Sequence, residues 1–243
     1  MANANLTSYR EMILSLGNEE LDMRLGGGVP IPNLLVIEGD HGSGKSILAQ
    51  QITYGAVRKG LKVIYLTTES SVREFIYHAR KVSMDVSDEF LKGLLRIYPV
   101  HMEGVRWAGK AAKKLLEILG NFMVKIKDEY DVFVVDSFSV LAVYAKESIV
   151  LDYLTRARTL VSEGKLIILT IHPHVLSERI MIRLRAICDS YFKLDFAEVA
   201  GKLIKVLRVV KLKGAMEAPD STIAFDVDPA FGIKVVPLAL AKA

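Results

Sequence analysis

Eight residues, Gly39-Asp40-His41-Gly42-Ser43-Gly44-Lys45-Ser46, constrain this chain more than any others, because they follow the spacing G-x-x-x-x-G-K-S without a mismatch. The apolar run Leu34–Ile37 enters the motif as a buried strand, and Ile47, Leu48, Ile52 and Tyr54 leave it with helical spacing. Such a strand–loop–helix unit can curl so that successive backbone N–H groups point inward, and the helix adds its positive dipole end. That is a nest for polyphosphate. Lys45 is the residue that neutralises the terminal phosphates, the Ser46 hydroxyl is a ligand for Mg²⁺, and Ile47 continues the contact into the helix. The chain is therefore expected to bind a nucleoside triphosphate.

The rest of the sequence fits an α/β fold around that unit. Lys62–Thr67, Leu94–Tyr98, Asp131–Asp136, Leu166–Ile171 and Ser190–Leu194 read as strands. Val72–Val82, Ala108–Lys127, Val150–Ser162 and Val175–Ile187 read as helices between them. The alternation predicts a mainly parallel, twisted sheet with helices on both faces. Lys202–Leu212, Ser221–Val227 and Gly232–Val236 are strand-like with no helix between, so an antiparallel β flank is expected at the C-terminal end. No repeat or Pro/Ser-rich linker divides the 243 residues, which are read as one domain, 1–243.

Composition narrows the function classes. A 51% hydrophobic content with 25% charged residues describes a globular chain, and a net charge of +4 does not argue for a nucleic-acid groove. Met1–Arg10 is polar, unlike a signal peptide, and Val132–Ala145 is interrupted by Asp136 and too short to span a bilayer. A cytoplasmic protein is expected. Cys188, the single cysteine, lies in the apolar stretch Ile182–Tyr191 and reads as a buried, inert thiol.

Three features should gather at the carboxyl ends of the strands, where open α/β sheets hold ligands. Val132-Phe-Val-Val135 closes on Asp136, the pattern of a carboxylate that holds Mg²⁺ through its water shell. Thr67-Thr-Glu69-Ser70 ends another strand, and Glu69 can polarise a water against the γ-phosphate; alternatively, Glu69 or Ser70 caps the next helix. Thr170-Ile-His172 can report on the γ-phosphate. His172 and His174, two apart around Pro173 without acidic or cysteine companions, read as sensor or loop histidines rather than zinc ligands.

Upstream, Leu16-Gly-Asn-Glu-Glu-Leu-Asp22 and Leu25-Gly-Gly-Gly-Val-Pro30 read as a turn into the first strand. Together with the phosphate loop, Asp136-Ser137 and Val210-Lys-Leu-Lys-Gly214, this run resembles the RecA/KaiC family of ATPases, with its G-x-x-x-L-D-x-x-L-G-G-G-x-P lead-in. Thr67-Thr-Glu-Ser70, Arg96-Ile-Tyr-Pro99 and Thr170-Ile-His-Pro173 are most similar to the branch that serves the archaellum, the archaeal swimming filament. The resemblance spans essentially the whole chain. It implies an ATP- and Mg²⁺-binding subunit at the cytoplasmic base of the motor, meeting the hexameric motor ATPase FlaI and, in some archaea, a scaffold ring of FlaX. It also implies self-association into a ring, in which Lys211 and Lys213 reach a neighbouring subunit's phosphates. Two departures bear on mechanism. KaiC-like ATPases carry two adjacent glutamates where this chain has Thr68-Glu69, which argues for slow hydrolysis and a nucleotide-held switch. Where Lys-x-Arg-Gly is common, this chain has Lys213 for the arginine and loses its two-pronged contact.

The competing reading is a DNA-dependent recombinase ATPase of the same fold, which would need basic, glycine-rich loops after the Asp136 strand and after the strand that follows it. Ser137–Lys165 is apolar and helical with Gly164 as its glycine, which argues against it. Arg179, Arg183 and Arg185 are expected on roughly one helix face and could touch DNA or an acidic protein. That helix and Val105-Arg-Trp107 are the candidate partner surfaces. A double-domain, autophosphorylating clock ATPase is set aside, because the chain reads as one domain and Leu238–Ala243 offers no hydroxyl.

Overall fold

Every central strand of this chain buries both faces, so alternate residues feed two separate cores. The computed structural model describes residues 12–100, 110–199 and 201–237. In chain order the elements are β1 (Met12–Leu14), α1 (Glu19–Arg24), β2 (Val29–Ile31), β3 (Asn33–Gly39), α2 (Lys45–Arg58), β4 (Val63–Thr67), α3 (Val72–Lys81), α4 (Ser87–Leu91) and β5 (Leu95–Pro99). They continue with α5 (Lys110–Lys125), β6 (Val132–Asp136), α6 (Phe138–Ala142), α7 (Glu147–Ser162), β7 (Leu166–Ile171), α8 (Glu178–Ile187), β8 (Ser190–Val199), β9 (Lys202–Leu212), β10 (Thr222–Asp228) and β11 (Gly232–Val236).

Nine strands form one sheet in the order β11-β10-β9-β8-β3-β7-β6-β4-β5. From β8 to β5 every pairing is parallel, and from β8 outward through β11 every pairing is antiparallel. Leu35, Ile37, Tyr65, Val134 and Ile168 point into one core, beneath α2 and α3. Their neighbours Leu34, Val36, Leu66, Val135 and Leu169 point into the other, beneath α5 to α8. This follows from the two-residue period of a strand, and it explains why these segments read as continuous apolar runs.

The chain leaves β3 through α2 on one face and crosses β7 and β6 to reach β4; it leaves β7 through α8 on the opposite face and crosses back over β3 to β8. The crossovers depart in opposite directions from the carboxyl ends of adjacent strands, which opens a crevice there. Both the phosphate loop and the Asp136 strand end at that crevice.

Several elements differ from their sequence reading. The run Leu16–Pro30 is more than a turn: Asn18 caps α1 by accepting from Leu21 N at 3.0 Å, and β1 pairs with β2 as a separate two-stranded sheet. Its geometry comes from Asp22, buried at 9% exposure, which accepts from Ser15 Oγ at 2.6 Å and Leu16 N at 2.8 Å. The helix expected over Val175–Ile187 begins only at Glu178, where the Ser177 side chain accepts from Ile180 N. The helix expected from Ala108 is described from Lys110, and Val105-Arg-Trp107 and Leu238–Ala243 lie outside the described residues. Cys188 is fully buried, and burial pushes its thiol pKa up. Among the described residues no helix is long and apolar enough to cross a membrane.

Candidate functional site

The phosphate loop bends because Gly44, the residue that opens α2, sits at φ 101°, a left-handed conformation that glycine adopts without strain. Gly44 carries no side chain to cap the helix, and the first N–H groups of α2 have no intrahelical acceptor. They therefore face the crevice unpaired and ready for an anion. Gly39 is needed for space: a Cβ there would stand 2.5 Å from Ser43 Oγ and 2.8 Å from Leu194 O. Ser43 is fully buried and its hydroxyl has no hydrogen-bond partner. Such a cradle, with backbone donors and an orphaned hydroxyl, fits a polyphosphate.

Lys45 is 6% exposed and its ammonium donates to the Asp40 carbonyl at 2.8 Å. Burial lowers its pKa, against the opposing charges of Asp136, Glu69 and Asp40. A desolvated cation held only by a carbonyl has much to gain from a phosphate oxygen.

The carboxylate of Asp136 is fixed from three sides. Its Oδ1 accepts from Thr170 Oγ1 at 2.6 Å and from Ser46 Oγ at 3.2 Å, and its Oδ2 accepts from Tyr65 OH at 2.7 Å. Tyr65 is wholly buried, and burial together with Asp136 raises its phenol pKa well above the ordinary value. The phenol therefore stays a donor. Thr68 ties the same strand end, donating from its N–H to Asp136 O at 2.7 Å and accepting from Ser137 N at 3.1 Å. Ser46 and Asp136 thus present two oxygens side by side, a donor set that suits Mg²⁺. Thr170, expected to sense the γ-phosphate, is engaged with the Asp136 carboxylate and is fully buried.

Glu69 stands at the mouth. Its side chain is 53% exposed, and its Oε1 lies 3.9 Å from His172 Nε2. Neither Glu69 nor Ser70 caps the following helix. Ser71 does, in a reciprocal capping box with Glu74. The Glu69 carboxylate is thereby left facing the site. His172 is 6% exposed and stacks on His41 with ring centroids 4.2 Å apart; burial, Lys45 and His41 lower its pKa to about 4. It is a neutral imidazole whose Nε2 lacks a hydrogen-bond partner. His174 is exposed at φ 63°, and no cluster of three metal-ligating side chains exists among the described residues.

A cavity of about 240 Å³ is lined by His41, Gly44, Lys45, Glu69, His172 and Lys205, among others. A second, of about 540 Å³, adjoins it along Ser46, Gln50, Glu69 and Asp136. Lys205 was not among the sequence candidates. It lies on β9 opposite Phe196 of β8, and its ion pair with Asp226 at 3.8 Å holds it over Gly44. Nothing local in the sequence marks it, because only the antiparallel pairing of β8 and β9 brings it there. Tyr65, inside an apolar strand, was likewise unmarked.

Lys211 and Lys213 are not at this site in their own chain. Lys211 pairs with Tyr191, at the end of the sheet away from the loop, and its ammonium donates to the carbonyls of Cys188 and Arg185. Lys213 is exposed beside Asp189 and Pro30. The expected arginine stripe on α8 also divides. Arg179 and Arg183 share one face, whereas Arg185, itself 55% exposed, donates to the buried Glu38 carboxylate at 3.3 Å and to Tyr191 OH.

Comparison with known proteins agrees with this geometry. A family profile described as "ATPase: KaiC" matches residues 14–239. The archaeal flagellar ATP-binding protein FlaH of Sulfolobus acidocaldarius is 40% identical over 232 residues, covering 96% of this chain and 100% of that protein. FlaH of Methanocaldococcus jannaschii is 29% identical over 226 residues, covering 91% of this chain and 94% of its own. The crystal structure of flagellar accessory protein FlaH from the same organism superposes with a TM-score of 0.84 at 26% identity, over 92% of this chain and 98% of that one. A full-length match of this kind, on a chain whose phosphate cradle and Asp136 carboxylate converge at one crevice, places it: the chain belongs to the KaiC-type ATPases and, within them, to the archaeal flagellar ATP-binding proteins of the FlaH family.

Proposed function

We propose that this protein is an ATP–Mg²⁺-binding regulatory subunit of the archaellum motor and assembly machinery, at the cytoplasmic face of its membrane base. Bound nucleotide sets its affinity for the motor ATPase FlaI, and FlaX is a further contact in archaea that have it. The observation that carries this reading is the contrast between a fully braced Asp136, with three hydrogen-bond donors, and a single, half-exposed Glu69. The site is built to hold ATP rather than to turn it over quickly.

ATP with Mg²⁺ supplies an electrophilic γ-phosphorus and a cation that offsets phosphate charge. The chain does the rest. The loop N–H groups bind phosphate oxygens, and Lys45 exchanges the Asp40 carbonyl for a phosphate. Ser46 and Asp136 present the metal-facing oxygens, held in place by Thr170 and Tyr65. Glu69, which lines both cavities, is positioned to accept a proton from water at the open end. With Thr68 in place of a second glutamate beside Glu69, hydrolysis is slow or absent. In a ring, the exposed Lys213 could approach a neighbour's phosphates, and Lys211 could do so by giving up the Cys188 and Arg185 carbonyls, since their own loop lies at the other end of the sheet.

The switch requires that FlaI bind the ATP form and the empty form with different affinity. Steady-state ATP turnover, with and without single-stranded DNA, tests the reading first. Slow turnover in both conditions with tight ATP binding supports it; strong stimulation by DNA replaces it with a recombinase-like ATPase. Lys45→Ala should lose nucleotide and FlaI together, and FlaI capture by nucleotide-free protein at full strength would defeat the switch.

A further inference from the structure

Apart from the nucleotide site, an open groove of about 710 Å³ lies between α7 and α8, on the face of the sheet opposite α2. Leu151, Leu154, Ile182 and Ile187 give it an apolar floor, and Ile182 is 61% exposed. On α8 the residues facing the groove are Arg179, Ile182, Arg183 and Ala186, spaced i, i+3, i+4, i+7 as on one helix face. On α7, Leu151, Thr155, Arg158 and Ser162 run along the facing side with helical spacing. Two helices that present such stripes to solvent leave a seat for a third.

The rim defines the chemistry of that third helix. Arg158, Arg179 and Arg183 line the groove and no carboxylate does. Arg158 is paired with Asp189, and Arg179 reaches Glu147 only at 3.7 Å while 81% exposed. Arg183 is exposed and makes no ion pair among the described residues. An apolar floor needs aliphatic side chains, which nucleic acid does not carry, and a cationic rim needs carboxylates.

We infer that the α7–α8 groove is a docking site for an acidic amphipathic helix of a partner protein. The inference rests on the reading of this chain as a subunit that acts on a protein partner, and it names the surface used. The groove is joined to the nucleotide site by α8 itself. Arg185, one residue before Ala186 of the groove face, holds Glu38, and Glu38 directly precedes Gly39 of the phosphate loop. An occupant that shifts α8 therefore bears on the loop, and the coupling works equally in the other direction.

The probe is a synthetic helix with leucines at i, i+3, i+4 and i+7 flanked by glutamates, alongside a twin in which lysines replace the glutamates. The acidic helix should bind the full chain about tenfold more tightly than its twin. Ile182→Glu and Arg183→Glu should each weaken it at least about fivefold while leaving ATP affinity unchanged, which also shows that both variants fold. Equal binding of the twins, or unchanged binding by the variants, would overturn the proposal. So would a change in sedimentation of the chain alone in either variant, which would make the groove a self-interface. A parallel capture with purified FlaI separates the two readings. Capture by the native chain but not by Ile182→Glu supports both, equal capture by both places FlaI elsewhere and overturns the groove as its seat, and capture by neither refutes the motor reading while the peptide measurement still decides the groove.

Discussion

The hydroxyl of Ser46 lies 3.2 Å from Oδ1 of Asp136, across 90 residues of sequence. This pair joins the first turn of α2 to the end of β6, and it exists because β3 and β6 both end at the crevice, separated by β7 alone. Thr170 comes from that intervening strand and fixes the carboxylate from the third side. Three elements far apart in sequence thus make one polar corner of the crevice.

Asp136→Asn keeps the shape of that corner and removes its charge. Affinity for ATP in the presence of Mg²⁺ should fall about tenfold to hundredfold, by analogy with the loss of an oriented metal ligand. Affinity in the presence of a chelator should be nearly unchanged. Titration of a fluorescent ATP analogue with and without Mg²⁺ measures both, and equal losses in the two conditions would show that Asp136 does not face the metal.

Tyr65→Phe removes a wholly buried donor and leaves Oδ2 of Asp136 without it. The cost should be about 1–3 kcal/mol, the usual penalty for stranding a buried acceptor. For a chain of this length that corresponds to a melting temperature lower by roughly 2–12 °C in the nucleotide-free protein. An unchanged melting temperature would mean that water replaces the phenol.

The two lysine positions should behave differently. Lys205→Ala should weaken ATP binding by about three- to tenfold in the isolated chain, because its side chain lines the cavity beside the loop. Lys211→Ala should leave that affinity unchanged, since its ammonium is bound to carbonyls at the far end of the sheet. Calorimetric titration under monomeric conditions distinguishes them, and a loss with Lys211→Ala there would contradict a role confined to neighbouring subunits.

His172 makes stability depend on pH. Its pKa is depressed in the folded chain to about 4, from an ordinary value of 6.5. Between those values the unfolded state binds the extra proton, so unfolding free energy should fall as pH drops from 6.5 towards 4 and should be insensitive to this group above 6.5. His172→Gln should flatten that part of the profile in denaturant titrations of the nucleotide-free protein. An unchanged slope would assign the pH dependence to other groups.

How far the site was legible depends on where its information is stored. Gly39–Ser46 could be read because a phosphate nest is a local backbone object, with every requirement met within eight residues. Asp136 could be read because it closes an apolar strand. Tyr65 could not, because a tyrosine among apolar residues reads as core until its hydroxyl is seen against a carboxylate. The lead-in Leu16–Pro30 read as a turn because its glycines dominate locally. Its order comes from Asp22 reaching back to Ser15 and Leu16, and from pairing between β1 and β2. The arginines of α8 were grouped by spacing alone, yet Arg185 is drawn aside by Glu38, a partner 147 residues away.

The sequence by itself determined the class of fold, the strand–loop–helix that binds phosphate, and the antiparallel end of the sheet. Each follows from local periodicity, from glycine geometry or from the absence of crossover helices. Tertiary structure decided which side chains complete the site. Sheet order brings β6 and β7 beside β3, and the β8–β9 pairing places Lys205 over the loop and carries Lys211 away from it. It also decided that α7 and α8 leave a groove between them. Periodicity fixes which face of a strand or helix is apolar, but only the packed order of the elements fixes what that face meets.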